Sequence, residues 1–291
     1  MAGRTYAEPG SVAEALGLLA ELGTDAGVVA GGTDIVVGDR SGKKPLPRAL
    51  VAIHRLSDLE GVANGSGLQL GALATHGELE TSELVRSRWS ALSDAAALVG
   101  SPATRHVGTI GGNLCNASPA AEAVSPLLVY GATVSLRSAS GSRTVPVSEF
   151  ITGPARTVLA PGELLTGVSV PSLPAGSGSA YLRLEYRRTM EIAVVGAAAL
   201  VTLDGSGHVA DAKVALTAVA PTCVRATAVE EALRGAEPTA DALAAASALA
   251  AEAARPIDDV RASAAYRSAM VPVIVRRALE RAVERARRAE G

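Results

Sequence analysis

The sequence predicts an α/β unit at its N-terminal end and, beyond a linker, a second body of strands followed by helices. Three observations predict this. "SVAEALGLLAEL" carries a helical stripe, and short apolar strand patterns follow it within roughly the first 55 residues. "SLPAGSGS" (172–179) has the Pro, Gly and Ser content of a linker. Beyond it, "AYLRLEYRR", "IAVVGAAALVTLD" and "KVALTAVAP" read as three strands, and from Val224 the chain turns Ala-rich and helical, broken by Pro238 and Pro256.

Taken in order, Ser11 with Glu14 three residues on forms a capping box, Val12, Ala15, Leu16 and Leu19 share one face, and Gly23 ends the helix. "AGVVAGGTDIVV" follows as a strand, a glycine turn and another apolar run, so that this region reads as a helix followed by strands, with "ALVAIHRL" the next of them. "LEGVANGSGLQLGA" has the pattern of a hairpin turning at Asn64 and Gly65. Thr75 and Glu78 make a second capping box, and one helix is expected from Glu83 to Val99. "RHVGTIGGNLCNASPAAE" (105–122) has neither strand nor helix pattern. "AVSPLLVYGATVSLRSASGSRTVPVSEF" reads as a helix and two strands turning at Ser140–Gly141, and "GELLTGVSVP" as a further strand. At the C-terminal end, Arg276, Arg277, Arg281, Arg285 and Arg288 alternate with Glu280 and Glu284, the pattern of a solvated helix face, with a partner-docking surface as the alternative.

Composition excludes several function classes. The chain has 291 residues, 48% hydrophobic and 19% charged, which is enough to bury a core. Lys plus Arg number 27 against 29 for Asp plus Glu, a balance with no footprint for nucleic acid or an anionic membrane. Aromatic residues are only 2%, so there is no stacking platform for single strands, and any flat ring must be held by backbone and aliphatic groups. Cys115 and Cys223 are distant from each other and have no His at ligand spacing. They form no cluster or structural zinc set, and they point to a reducing, cytoplasmic compartment. No stretch approaches the roughly 18 apolar residues of a membrane span, and the chain is expected to be soluble with no membrane insertion. His54, His76, His106 and His208 are scattered, and none is assigned a catalytic role.

Two glycine turns stand out. "AGGTD" (30–34) and "TIGG" (109–112) each sit beside a strand or helix pattern. Without Cβ atoms, consecutive amides can close on an anion, and two such turns would grip a diphosphate from both sides. Thr33, Thr109, Ser118 and Asn113 would add uncharged donors. Plain tight turns remain the alternative. Neither stretch has GxGxxG spacing or a following GK[ST], so neither is a Rossmann fingerprint or a P-loop. By pattern alone Leu165 is a core residue, Arg183 a solvated strand residue, Asp34 a turn cap and Cys115 a small hydrophobe.

"AGGTDIVV", "TIGGNLCNASPAAEAVSPLL" and "RTMEIAVVGAAA" together resemble the FAD-binding medium subunit of the molybdenum hydroxylases, the carbon monoxide dehydrogenase and xanthine dehydrogenase family. "PGELLTGVSVP", "VALTAVAPT" and "RASAAYRSAMVPVIVRRAL" fall in the family's order, so the resemblance spans nearly the whole chain. It implies a fold of α/β plus α+β. A two-subdomain FAD-binding region of PCMH, vanillyl-alcohol-oxidase-like type would cover 1–173, divided at about 1–56 and 57–173. A flavoprotein C-terminal domain with a three-stranded antiparallel sheet and helices would cover 179–291.

The resemblance further implies FAD as the cofactor, bound by Val28, Val29, Ala30, Gly31, Gly32, Thr33, Asp34 and Ile35 in the first turn and by Thr109, Ile110, Gly111, Gly112 and Asn113 in the second. Ser118 would join them. Glu122 stands where the family has an acidic residue, usually Asp, reaching the adenosine side of FAD; capping the next helix is its other reading. Leu165 matches a leucine against the flavin, and Arg183 a basic position near the isoalloxazine. Partners would be a molybdopterin large subunit and a small subunit with two [2Fe–2S] clusters, in a dimer of three-chain units, a heterohexamer. Electrons would leave through FAD to NAD+ or another acceptor. A stand-alone flavin reductase or oxidase, and a scaffold without FAD, are the alternatives.

Overall fold

The computed structural model describes residues 4–42, 44–187 and 189–289; the expected domain limits at 1 and 291 lie outside these. Ser11 is extended and its hydroxyl accepts the Glu14 N–H, while the Glu14 carboxylate turns back to the Gly10 N–H at 2.8 Å. That satisfies amides the helix start leaves open. Three parallel strands, β1 (Thr5–Ala7), β2 (Ala26–Val29) and β3 (Ala49–Ala52), form a sheet in the order β1-β3-β2. Helix α1 (Val12–Leu22) buries Val12, Ala15, Leu16 and Leu19 in one core cluster with Val51 and Ile53. The apolar run after the first glycine turn is not a strand but helix α2 (Thr33–Arg40). The topology gives the reason. β2 and β3 are parallel, so the connection must cross the sheet, and a helix crosses it with its own hydrogen bonds satisfied.

The second subdomain opens with the hairpin β4 (Val62–Asn64) and β5 (Gly67–Gly71). Thr75 then caps α3 (His76–Thr81) with both bonds of the capping box present. The single helix expected over Glu83–Val99 is two, α4 (Glu83–Arg88) and α5 (Ser90–Ala96). They break at Trp89 (φ −114°, ψ 47°), whose fully buried indole donates Nε1–H to the Pro171 carbonyl at 3.2 Å. Burying that ring outweighs one continuous turn of helix.

Helices α6 (Pro102–Arg105) and α7 (Ile110–Asn116) follow, so the stretch without helical pattern contains one. Thr109 caps α7 by accepting the Gly112 N–H at 3.0 Å. Next come α8 (Val124–Tyr130), β6 (Thr133–Ser138), β7 (Gly141–Pro146), α9 (Val147–Phe150), the small pair β8 (Ile151–Gly153) and β9 (Arg156–Thr157), and β10 (Leu164–Pro171). The main sheet is antiparallel, in the order β4-β5-β10-β6-β7.

The C-terminal domain is an antiparallel sheet of β11 (Ser177–Leu184), β12 (Val195–Leu203) and β13 (Val209–Thr217), with a two-residue fourth strand β14 (Val224–Arg225). β11 begins inside the expected linker, which shortens it. Helices α10 (Thr227–Leu233), α11 (Ala240–Ala248) and α12 (Ala264–Ala289) complete the fold, and α12 lies across β11 and β12. Arg276 and Arg288 pair with Glu280 and Glu284 on the α12 surface. Arg285 is different: its two Nη atoms grip Asp94 of α5 at 2.6 and 3.0 Å, tying the two domains.

Candidate functional site: a cavity between the first two subdomains

The turn after β2 and the segment before α7 face each other across a cavity of about 320 Å³. Val28, Val29, Ala30, Gly31, Gly32, Thr33, Asp34 and Ile35 line one side. Thr109, Gly111, Gly112 and Asn113 line the other, with Leu165 from β10. Gly108, Lys44, His76, Cys115 and Asn116 also line it, none of which sequence reasoning selected. Their signal is weak because each is defined by what folds against it rather than by a local motif.

The two turns differ in what their amides do. Gly32 is the N-cap of α2 at φ 73° and supplies no side-chain cap; the first bond of the ladder runs from Val36 N–H to the Gly32 carbonyl. The amides of Thr33, Asp34 and Ile35 therefore precede the ladder at the positive end of the helix. At the second turn the amides have protein partners. Ile110 N–H donates to Ala74, Gly111 N–H to Ala72, Gly112 N–H to the Thr109 hydroxyl and Asn113 N–H to the Thr109 carbonyl, all at 2.9–3.0 Å. The first turn thus leaves its amides open to the cavity, whereas those of the second already bond within the protein.

The glycines have a second use. A Cβ on Gly31 would overlap the Val107 carbonyl, and one on Gly111 would stand 2.7 Å from the Ala72 carbonyl oxygen. Both are bare so that backbone meets backbone, Gly31 across the two subdomains and Gly111 within the second.

Charge in the cavity is muted. Burial raises the Asp34 carboxyl, against the opposing pull of Lys44. Burial, helped by the Arg105 charge, pushes His76 down to about 4, so its ring is neutral. Burial pushes the Cys115 thiol up to about 12, which leaves it protonated and inert. Asn113 Oδ1 and His76 Nδ1 are buried without a hydrogen-bond partner. The orphaned Asn113 oxygen marks a place where a ligand completes the bonding.

The comparisons with known proteins decide the family. Residues 2–173 match the FAD binding domain in molybdopterin dehydrogenase. The chain belongs to that family. Residues 180–282 match the CO dehydrogenase flavoprotein C-terminal domain. The chain is 35% identical over 285 residues to subunit alpha of the 6-hydroxypseudooxynicotine dehydrogenase complex of Paenarthrobacter nicotinovorans, covering 97% of this chain and 95% of that one. It is 34% identical over 278 residues to the carbon monoxide dehydrogenase medium chain of Hydrogenophaga pseudoflava, covering 95% and 96%. The solved carbon monoxide dehydrogenase from the latter organism, lacking the Mo-pyranopterin moiety, superposes with a TM-score of 0.91 at 35% identity over 97% of this chain and 98% of that one. Quinoline 2-oxidoreductase of Pseudomonas putida 86 gives 0.90 at 29% identity, covering 99% of each. The chain is an oxidoreductase subunit of the molybdopterin dehydrogenase family and carries its FAD-binding domain. The cavity fits that cofactor: an uncapped helix start suits a diphosphate, and the orphaned Asn113 oxygen is unmatched without a ligand.

Four residues expected at the site lie outside the cavity lining. Ile110, the first residue of α7, is fully buried, and Ser118 caps its own turn by accepting the Ala120 N–H. Glu122 and Arg183 face each other at 2.5 Å, both buried, at the junction with the C-terminal domain, and Glu185 pairs with Arg183 from the other side. The helix-capping reading of Glu122 is not met, since α8 has no side-chain cap. A buried carboxylate and a buried guanidinium each need a counter-charge, and these two supply it to each other. Burial still pushes the Glu122 carboxyl up, to about 7, against the Arg183 charge. Burial also works against the Arg183 cation, but Glu122 and Glu185 outweigh it and hold the guanidinium charged.

Proposed function

We propose that this chain is the flavin subunit of a multi-chain molybdenum hydroxylase. In this reading a molybdopterin large subunit oxidises the substrate, the two [2Fe–2S] clusters of a small subunit relay the electrons, and this chain passes them on to NAD+ or another acceptor. The single observation that carries the reading is the open first turn of α2 facing a cavity walled by a second subdomain. The family relationship and relatives named as medium chains or complex subunits support it.

Bound there, FAD supplies the change between one-electron and two-electron transfer, and the protein supplies position and shelter. The amides of Thr33 to Ile35 and the Thr33 hydroxyl hold the diphosphate. Asn113 completes its bonding on the ligand, and Leu165, only 3% exposed, offers an apolar wall to the ring system. Among the described residues no group of three or more His, Cys, Asp or Glu is placed to hold a metal ion. Domain limits of 1–56, 57–173 and 179–291, assembly as a dimer of heterotrimers, and a cytoplasmic site of action complete the proposal. No helix of the described residues is long and apolar enough to cross a membrane.

Two measurements test it. The purified chain should show the visible absorption of bound flavin, released as FAD on denaturation; a folded chain that takes up no FAD sinks the reading. In the complex reconstituted with its partner chains, substrate-dependent reduction of NAD+ or of a dye should vanish when FAD is stripped from this chain alone and return when it is restored.

A further inference from the structure

His76 is an odd residue to bury. Its side chain is the first of α3, the residue is 2% exposed, and the ring lines the cavity with Nδ1 shut away and without any partner. It is held firmly. Thr75 and Glu78 exchange the two bonds of the capping box at 3.2 and 2.7 Å, and the His76 N–H donates to the Gly108 carbonyl at 2.9 Å. Thr75 also bridges to Thr109, so the start of α3 is tied to the start of α7.

An apolar side chain would fill the same space without burying an imidazole, so the ring nitrogen that is not shut away is the one left to meet a partner. The ring is neutral, so it carries one proton. With no acceptor near Nδ1, nothing holds that proton there, and Nε2 is the nitrogen left to donate. The surroundings indicate what it meets. The His76 ring carbon Cδ2 and the Thr33 hydroxyl both lie within 4 Å of the point where a Gly108 Cβ would stand. Thr33 begins α2, whose open amides face the same cavity. The imidazole therefore stands beside the anion-binding end of the cavity, as a donor that adds no charge next to the Arg105 guanidinium.

We propose that His76 is a cofactor-binding residue whose Nε2–H donates to a phosphate oxygen of the flavin dinucleotide. The proposal rests on the reading that the cavity holds FAD. A histidine opposite a helix N-terminus gives the diphosphate donors on two sides.

The test titrates the full-length apo chain with FAD, read by flavin fluorescence, and with ADP as a competitor that shares the diphosphate but lacks the flavin. His76→Leu keeps the volume and loses the donor, whereas His76→Gln places an amide N–H close to the Nε2 position. The Leu variant should weaken both FAD and ADP by about 10- to 100-fold, the scale of one hydrogen bond to a charged acceptor. The Gln variant should stay within about 3-fold of wild type, less than the roughly 1.4 kcal/mol that a tenfold change represents. Equal FAD affinity in the Leu variant and wild type overturns the proposal, and so does a loss for FAD that ADP does not share.

A second measurement does not depend on the variants folding. The wild-type chain has four histidines, and with 15N-labelled rings FAD should bring one slowly exchanging Nε2–H signal into view; no new signal overturns the assignment. Failure of wild-type FAD uptake would instead count against the proposed function, and the wild-type titration reads that separately.

Discussion

Gly31–Gly32 and Gly111–Gly112 are the same dipeptide in two loops that face one cavity, yet they solve different problems. Gly32 has φ 73°, and a Cβ there would meet nothing closer than 3.8 Å. It is glycine for its backbone angle, and it leaves a helix start uncapped. Gly111 sits inside α7 with its amide bonded to Ala72 and its missing Cβ aimed at the same carbonyl. It is glycine for contact. Gly31 belongs with Gly111 in this respect, although it adjoins Gly32 in sequence. A glycine pair therefore reports bare backbone, and only the neighbours tell whether that backbone meets a ligand or another strand of the same chain.

Four perturbations break or sharpen this comparison. The largest effect is expected for Gly31→Ala, where the new Cβ overlaps the Val107 carbonyl and the two subdomains must part; a loss of about 3 kcal/mol or more should show in urea unfolding of the apo chain. An unchanged midpoint would mean that the two loops do not close as described.

Next is acid. His76 bonds the loop between the turns, and its ordinary value near 6.5 falls to about 4 in the fold. Its contribution is fully present above pH 6.5 and is lost as the pH falls through about 4, roughly 3 kcal/mol in all. His76→Gln should flatten that part of the stability profile between pH 6.5 and 4, and an identical profile would remove His76 as its cause.

Gly111→Ala is expected to cost about 2 kcal/mol, because the Ala72 backbone must give way. The loss should be the same with or without FAD present if Gly111 serves packing alone, whereas a loss seen only with FAD would return this turn to the ligand. The smallest effect belongs to Gly32→Ala, about 1 kcal/mol for a left-handed backbone angle without a clash. Gly32→Asn should lose less, since Asn tolerates that angle, and equal losses for Ala and Asn would refute the angle as the reason.

Much of the fold was legible. The Ser11 cap, the capping box at Thr75, the hairpin over 62–71, the helix and two strands after Glu122, and the three long strands beyond the linker appear where local pattern places them. The misreadings share a cause. The run after Gly32 is apolar enough for a strand, but parallel pairing of β2 with β3 requires a crossing helix. The break at Trp89 comes from a ring that buries against Pro171, which is 82 residues away in sequence. Arg285 looks like one more solvated arginine of α12 until Asp94 is folded against it.

The same division runs through the site. By itself the sequence determined which residues form the two loops, because glycine, threonine and asparagine at short spacing are properties of the chain. It also determined the family, because several motifs recur in one order. Tertiary structure alone decided which amides remain open, since Ala72 and Ala74 lie more than 30 residues before the amides they occupy. It decided that Glu122 and Arg183, 61 positions apart, neutralise each other at the domain junction. It also decided that His76, unremarkable in its own segment, faces the cavity beside Thr33 and Gly108. Hydrogen bonds and ion pairs are satisfied in space, and a partner distant in sequence leaves no local pattern to read.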